Sequence, residues 1–333
     1  MSVRAALLTA ALLALAALAH AQDTRRVLGS EHLRVLYWPR DEALAKLARE
    51  TGDRALVRLQ GMLDAEVPRR IDVYIVRSQD EFDELTGGPN DPWIIGRALP
   101  AQLLVVVKPM GPQRLPGLLA HELAHVVLDV AMGDAAAQLP RWLHEGIAKY
   151  GARDFDQSDR EVIAHAATAG ELLGIDDLEA AFEGDHEQVA LAYAQSYVLV
   201  DYLAEIEPAR GIGPLLEQIA RGRETRLALG LAFGRPVPEI EQQWHDILRR
   251  EAVTVLSPVL ADTLVGALFV LAFVLALIVA RRRSAAIRRR MEAEEGLREL
   301  LAGAQAAEPA SEQRDERDAA SGDGTGGPPF IIE

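Results

Sequence analysis

Short runs of alternating apolar and polar residues mark the first third of the chain. HLRVLYW (32–38) and IDVYIVR (71–77) alternate with a period of two, which predicts two β-strands. LLVVV (103–107) is a short apolar run and predicts a third strand. Between the first two runs, leucines and alanines recur at helical spacing over 41–64, which predicts a helix.

After the third strand, the apolar positions recur almost entirely at helical spacing. The pattern predicts helices over 116–130, 140–151, 159–172, 189–206, 212–221 and 237–251. Strands that come first and helices that follow are typical of an α+β domain. We therefore predict a small N-terminal mixed sheet followed by a mostly helical subdomain.

The N-terminal segment 1–21 reads MSVRAALLTAALLALAALAHA. Arg4 precedes an apolar stretch over 5–18, and 19–21 has the small-residue pattern of a cleavage site. We predict a cleaved secretory signal and a mature chain that begins near Gln22. The alternative is an uncleaved anchor helix, for which the apolar run is short, because a bilayer span takes about 20 residues.

A second apolar segment, 258–280, carries no charge over 263–280 and is followed at once by three arginines. Its length and composition predict a transmembrane helix. The alternative, a buried core helix, does not account for an arginine cluster at one end only. The positive-inside rule places that cluster in the cytoplasm. We therefore predict an extracytoplasmic domain over 22–257 and a cytoplasmic tail over 281–333.

The tail begins with a basic helical pattern and becomes polar and glycine-rich over 311–329, which predicts disorder. The last predicted helix of the domain ends at residue 251. Residues 252–257 are then a short linker that holds the domain near the bilayer surface.

The amino-acid composition limits which metal ligands and which binding partners the chain can have. The chain has 333 residues and no cysteine, so any metal must be held by nitrogen and oxygen ligands. Its formal net charge of −15 argues against nucleic-acid binding, which needs a basic surface. Alanine richness, with lysine only at 46, 108 and 149, indicates a high-GC bacterial genome. We predict a single-pass protein of the bacterial inner membrane with a periplasmic domain.

The stretch HELAHVVLDV (121–130) carries two histidines four residues apart. On a helix, His121 and His125 point the same way and can share one metal ion. A catalytic zinc site needs three protein ligands and one open position. Glu122, beside the first histidine, is placed to take a proton from water and pass it to a leaving amine.

The motif alone leaves an alternative, because two histidines on one helix face also occur as surface or packing residues. A second stretch, PRWLHEGIAKY (140–150), predicts a short helix that supplies a third ligand. Within it, Glu145 precedes Gly146, and a glutamate beside glycine can approach a neighbouring helix closely. The loop 132–139 is short enough to fold this helix back against the first.

Together, HELAH and the W-L-x-E-G-x-A pattern about twenty residues later resemble the gluzincins, the thermolysin and aminopeptidase N group of zinc peptidases. The chain is most similar to compact bacterial peptidase MA-like domains, over roughly residues 70–250. The resemblance implies a zincin-type helical subdomain and one Zn²⁺ per chain. It implies His121, His125 and Glu145 as zinc ligands and Glu122 as the catalytic base and acid.

Two positions depart from the family pattern. His144 stands where aminopeptidase relatives carry asparagine, and Lys149 stands where thermolysin-type members carry an aspartate that orients a histidine ligand. The pattern therefore does not assign the residue that orients the histidine rings, and Asp129 is one candidate.

AYAQSYVLVDYL (192–203) resembles the helix that carries the transition-state tyrosine of aminopeptidase relatives. The resemblance implies that Tyr193 donates a hydrogen bond to the oxyanion, with Tyr197 as the alternative. A buried tyrosine with a satisfied hydroxyl is the structural alternative for Tyr193.

WIIGRALPAQLLVVV (93–107) precedes the motif helix. In this family, the strand just before that helix is the sheet edge along which an extended peptide pairs. We place that edge at 96–98 or in the 103–107 strand.

Other notable residues are expected to be structural or solvated. His165, His186 and His245 lie outside the motifs, and Trp244 is expected in the core. The arginines near 221–226 are typical of a solvated face.

The sequence favours an active zinc metallopeptidase that acts on a peptide or protein substrate and is anchored in the bilayer by 258–280. The main alternative is a catalytically silent scaffold or chaperone of the cell envelope. Such a protein can lose any of the four motif residues, whereas His121, Glu122, His125 and Glu145 are all present here. An intramembrane protease is disfavoured, because charged residues flank the motif helix. Hydrolysis of a non-peptide bond stays open. Since no G-x-M-E-N stretch precedes the motif helix, endopeptidase action is slightly favoured over aminopeptidase action.

Overall fold

The computed structural model describes residues 24–307, apart from the side chains of 255–264 and 304–307. The predicted secretory signal over 1–21 and the predicted disordered stretch over 311–329 lie outside the described residues.

Five strands form one mixed sheet at the start of the domain, in the order β1-β2-β3-β5-β4. Their bounds are β1 Arg26–Gly29, β2 Leu33–Tyr37, β3 Ile71–Ile75, β4 Gly96–Leu99 and β5 Leu104–Val107. The three central strands run parallel, and the two edge strands β1 and β4 pair antiparallel with their neighbours. The predicted strands correspond to β2, β3 and β5; β4 was suggested only as one of two possible sheet edges, and β1 was not predicted.

Ten α-helices accompany the sheet in the described part of the chain. Their bounds are α1 Glu42–Leu63, α2 Gln79–Thr86, α3 Leu115–Met132, α4 Arg141–Ala152, α5 Gln157–Ala169, α6 Leu178–Ala181, α7 His186–Ile206, α8 Gly213–Ala220, α9 Thr225–Phe233 and α10 Val237–Ala307. The order of strands first and helices afterwards confirms the predicted α+β fold.

Helices cover both faces of the sheet, which explains the apolar sequence of β5. All four β5 residues are buried. Val105 and Val107 face the main core, which contains α1 and α3, while Leu104 and Val106 pack with Phe82 of α2 on the other face. A strand buried on both faces has no polar positions, so its sequence does not alternate.

Two helices in the described residues are long and apolar enough to cross a membrane. The first, Leu115–Gln138, contains α3 and is more than half buried within the protein, as expected of a core helix. The second, Val265–Gly303, has a mean hydropathy of 2.2 in its apolar window, which is exposed throughout. Only the second is compatible with a single membrane span.

Gly146 brings α4 close to α7. A Cβ atom at this position would lie 2.7 Å from the Ser196 carbonyl oxygen and 2.8 Å from Val200 Cγ2. These distances are shorter than carbon atoms tolerate, so a larger residue would push the two helices apart. Gly146 therefore sets the close packing of α4 against α7, whereas the sequence analysis placed the close approach at Glu145, towards the first motif helix.

The last helix differs from its prediction. It was expected to end at residue 251 and to be followed by a linker over 252–257, but α10 continues through these residues to Ala307. The chain divides into two units, Met1–Pro258 and Val259–Glu333.

Candidate metal centre

Two histidines of α3 bring their ring nitrogens together. His121 and His125 are one helical turn apart, and their Nε2 atoms lie 3.1 Å from each other. The two rings are nearly perpendicular, with centroids 4.7 Å apart. The spacing of four residues on a helix produces this convergence.

Glu145 of α4 completes a group of three. Its Oε2 atom lies 3.4 Å from His121 Nε2 and 3.6 Å from His125 Nε2. Within residues 24–307, this is the one group of three histidine or acidic side chains positioned to hold a metal ion. The predicted ligands are therefore adjacent.

The spacing of the three atoms suits a tetrahedral zinc ion. Ligand atoms about 2.0–2.1 Å from zinc are separated by about 3.3–3.4 Å in a tetrahedron. The distances of 3.1, 3.4 and 3.6 Å bracket that value. Glu145 Oε2 is also buried without a hydrogen-bond partner, which is costly unless a cation neutralises it. The three residues therefore fit zinc.

The charge states of two of the three donors suit a cation, whereas burial would lower the pKa of His121 but the adjacent Glu145 and Glu122 raise it. Burial alone would raise the pKa of Glu145, but the adjacent His121 and His125 lower it to about 2. Burial lowers the pKa of His125 to about 3. At neutral pH, Glu145 is an anion and His125 a neutral ring with a free lone pair, which are the forms that bind metals.

Glu122 lies beside this group but is not part of it. Its side chain is 7% exposed, and burial raises its pKa to about 7. A Cβ atom at Gly96 of β4 would lie 2.7 Å from Glu122 Oε1, so only glycine lets the strand pass this close to the carboxylate. A hydrogen bond from the Ala98 backbone partly offsets the rise in the Glu122 pKa.

A cleft of about 660 Å³ opens onto His121, one member of the group, and onto Glu122. Its apolar wall comes from the segment before and within β4 and from α3, while α4, the α4–α5 connection and α5 supply a charged wall. The lining includes Trp93, Ile94, Ile95, Gly96, Leu118, His121, Glu122, Lys149, Asp154, Asp156, Asp159 and Tyr193. Trp93 is 75% exposed at the cleft. The Glu122 side chain therefore lines a cleft that is open to solvent.

Of the two candidate tyrosines, Tyr193 lines the cleft. Burial and the nearby Glu145 raise its pKa to about 12, so its hydroxyl keeps its proton and can donate a hydrogen bond. Tyr197 instead stacks on Phe155 with ring centroids 4.6 Å apart. The cleft residues include Tyr193 but not Tyr197.

His144 takes an unexpected position against one histidine of the centre. Its ring stacks on His125, with centroids 4.6 Å apart and planes 15° apart. Asp129, the suggested orienting residue, lies with Oδ1 3.5 Å from His144 Nε2. His125 Nδ1 is buried without a hydrogen-bond partner, so Asp129 does not bond to it directly.

The charged wall of the cleft, formed by α4, the α4–α5 connection and α5, was not predicted from the sequence. Lys149 Nζ lies 3.1 Å from Asp159 Oδ1 and 4.0 Å from Asp154 Oδ2. Asp156 and Asp159 also form the capping box that starts α5. The D-x-x-D spacing ahead of a helix was the available signal, but it did not indicate that the helix begins in the cleft.

The sheet has an open edge at β4. Ile95 O accepts from Lys108 N at 2.8 Å, and Gly96 pairs in register with Val107. Because bonded and non-bonded pairs alternate in an antiparallel ladder, Gly96 and Ala98 direct their backbone groups away from β5. β5 lies between β3 and β4, so the suggested edge at 103–107 is wrong and the one at 96–98 remains.

Residues expected outside the site lie outside it. Trp244 is fully buried, and His245 Nε2 lies 2.9 Å from the Leu173 carbonyl oxygen. His165 and His186 are exposed. None of these residues lines the cleft.

Comparison with known protein families identifies a superfamily for this chain. The sequence profile of the Peptidase MA superfamily matches residues 45–250, which is more than half of the chain and includes α3, α4 and α7. No curated protein matches the chain.

Proposed function

Because the chain belongs to the Peptidase MA superfamily, we propose that it is a zinc metallopeptidase that hydrolyses peptide bonds with Glu122 as general base. The observation that carries the proposal is the triangle of His121 Nε2, His125 Nε2 and Glu145 Oε2, which has the spacing of tetrahedral zinc ligands. Glu122 stands beside this triangle in the same cleft.

The chemistry divides between the metal and the side chains. When bound, zinc supplies Lewis acidity that polarises a carbonyl group and makes water more acidic. Glu122 accepts the proton from the attacking water and delivers it to the departing amine nitrogen. Its burial keeps bulk water away from this transfer.

The substrate is held by backbone and hydroxyl groups. The outward-facing backbone groups of Gly96 and the carbonyl of Ala98 pair with an extended peptide, which adds a strand to the sheet, while the Ala98 N–H donates to Glu122. Tyr193, protonated at neutral pH, donates to the oxyanion that forms when water adds to the peptide carbonyl. We favour endopeptidase action, because a strand along an open edge needs no free amino terminus.

Tyr193→Phe is expected to lower kcat by about 10²-fold, because removal of one oxyanion donor costs 10²- to 10³-fold. The phenyl ring preserves the edge contact with Phe182, whose centroid lies 5.1 Å away. Tyr197→Phe, in the same helix but outside the cleft, is the matched control and should change kcat less than twofold. Equal effects of the two substitutions on kcat would exclude the role of Tyr193.

We also propose that the chain spans the bacterial inner membrane once. The support is the exposed apolar helix at Val265–Gly303 and the arginines at 281–283, which favour the cytoplasmic side. The N-terminal signal pattern agrees with a periplasmic domain. Membranes washed at alkaline pH should therefore retain the chain, and purification in detergent can start from them.

The proposal is tested on the full-length chain after this purification. We expect about one zinc per chain by elemental analysis and cleavage of internal bonds in a mixed-sequence peptide library read by mass spectrometry. A folded chain that stays metal-free after zinc loading would refute the proposed enzymatic function. The catalytically silent scaffold would then be the remaining alternative. Removal of single N-terminal residues only would instead indicate an aminopeptidase.

A further inference from the structure

A second groove adjoins the cleft, between α5 and the first half of α7. Its volume is about 770 Å³, larger than that of the cleft itself. The proposed chemistry uses none of its residues. The groove is therefore a feature that the hydrolytic site does not explain.

Two helices, α5 and α7, contribute residues to both the groove and the cleft. Ser158 lines both spaces. On α5, Asp159 faces the cleft and Val162, one turn later, faces the groove. On α7, Leu191 faces the groove and Tyr193 faces the cleft. A peptide that leaves the cleft along these helices enters the groove.

The floor of the groove is apolar. Two helices supply most of it, and one residue comes from the segment between them. These residues are Val162, Ala166, Leu173, Ala190 and Leu191. Such a floor accepts aliphatic or aromatic side chains of a bound segment.

The rim of the groove is acidic. Among the described residues, its lining includes two histidines and no lysine or arginine. Asp185 serves as the N-cap of α7. Glu161, Glu171 and Glu187 are exposed and remain available to a ligand. A segment with basic side chains complements this rim.

We propose that the groove is a distal subsite for the peptide substrate and selects a segment in which apolar and basic residues alternate. The proposal rests on the proposed peptidase function. A peptide substrate is the expected occupant because α5 and α7 line both the groove and the cleft, and its basic residues are expected because the rim of the groove is acidic. Side chains of an extended segment alternate in direction, so apolar residues reach the floor while basic residues reach the rim.

The test measures binding without hydrolysis. The probe is a fluorescein-labelled peptide of twelve residues that alternates leucine and arginine and extends to about 40 Å. Its counterpart carries glutamate in place of arginine. Fluorescence anisotropy gives Kd for the full-length Glu122→Gln chain in detergent, in which the general base is absent.

The informative variant adds Glu161→Gln, Glu171→Gln and Glu187→Gln to that chain. The matched control adds Glu31→Gln, Glu66→Gln and Glu84→Gln, which are exposed and remove the same charge elsewhere. We expect the groove variant to raise Kd about tenfold, because each exposed charge contributes modestly to binding, and the control less than twofold. The glutamate peptide should bind at least tenfold more weakly than the arginine peptide.

Two results would overturn the subsite. Equal increases of Kd in the two triple variants would show attraction by net charge alone. A photoreactive benzoylphenylalanine in the probe that labels only peptides outside α5 and α7 would place the segment elsewhere. The binding test does not require turnover, so its failure and that of the peptidase proposal are distinguishable. If the groove binds the probe but the wild-type chain cleaves no peptide, the peptidase proposal is refuted and the groove remains a peptide-binding site.

Discussion

Glu122→Gln is expected to lower kcat by about 10²- to 10⁴-fold, the usual contribution of a general acid and base. Glutamine keeps the shape of the side chain but cannot accept the proton of the attacking water. The zinc content should stay near one per chain, since Glu122 is not among the three converging donor atoms. KM should change little. The measurement is kcat on a peptide selected from the library for cleavage by the wild type, together with elemental analysis.

Glu66→Gln is the control for this experiment, because Glu66 is exposed and outside the cleft. Its kcat should equal that of the wild type. A Glu122→Gln chain that keeps more than a tenth of the wild-type kcat would remove Glu122 from the mechanism, even if the zinc site is real.

His121→Ala and Glu145→Ala are expected to weaken zinc binding by more than 100-fold. Residues that only orient a metal ligand already contribute 10- to 100-fold, and these substitutions remove a ligand itself. Zinc at 100 times its Kd stabilises the folded wild type by about 2.7 kcal/mol. Added zinc should therefore raise the thermal unfolding midpoint of the wild type and leave those of the two variants unchanged.

The matched control is His32→Ala, which removes a histidine just before β2 that is not in the centre. It should keep full zinc content and the zinc-dependent rise of the midpoint. If His121→Ala binds zinc as tightly as the wild type, the His121, His125 and Glu145 triangle is not the metal site.

The sequence predicted the elements that have a strong periodic pattern. The central strands and most of the helices appear where apolar positions recur, because these elements bury one face or both. The periodic pattern did not indicate β4, which only the family resemblance suggested, because GRAL (96–99) is short, contains glycine and an exposed arginine, and is followed by Pro100. An edge strand is only half covered, so its sequence carries little apolar signal.

The candidate site was predicted where residues are close in sequence or carry a family motif. The fixed geometry of a helix makes the convergence of His121 and His125 readable from spacing alone. Lys149 and Asp159 lie in different helices, so their contact depends on the path of the connection between α4 and α5. The stacking of His144 on His125 was hidden for the same reason.

The open edge of β4 has a consequence for which proteins can be attacked. The Gly96 backbone groups and the Ala98 carbonyl offer hydrogen bonds only to a main chain whose own N–H and C=O groups are free. In a folded protein these groups are already paired, so a target must first open locally. The free energy of opening ranges from near zero at frayed ends to the full stability of a core strand. The proposed peptidase is therefore expected to cleave loosely folded or misassembled proteins and to spare intact ones.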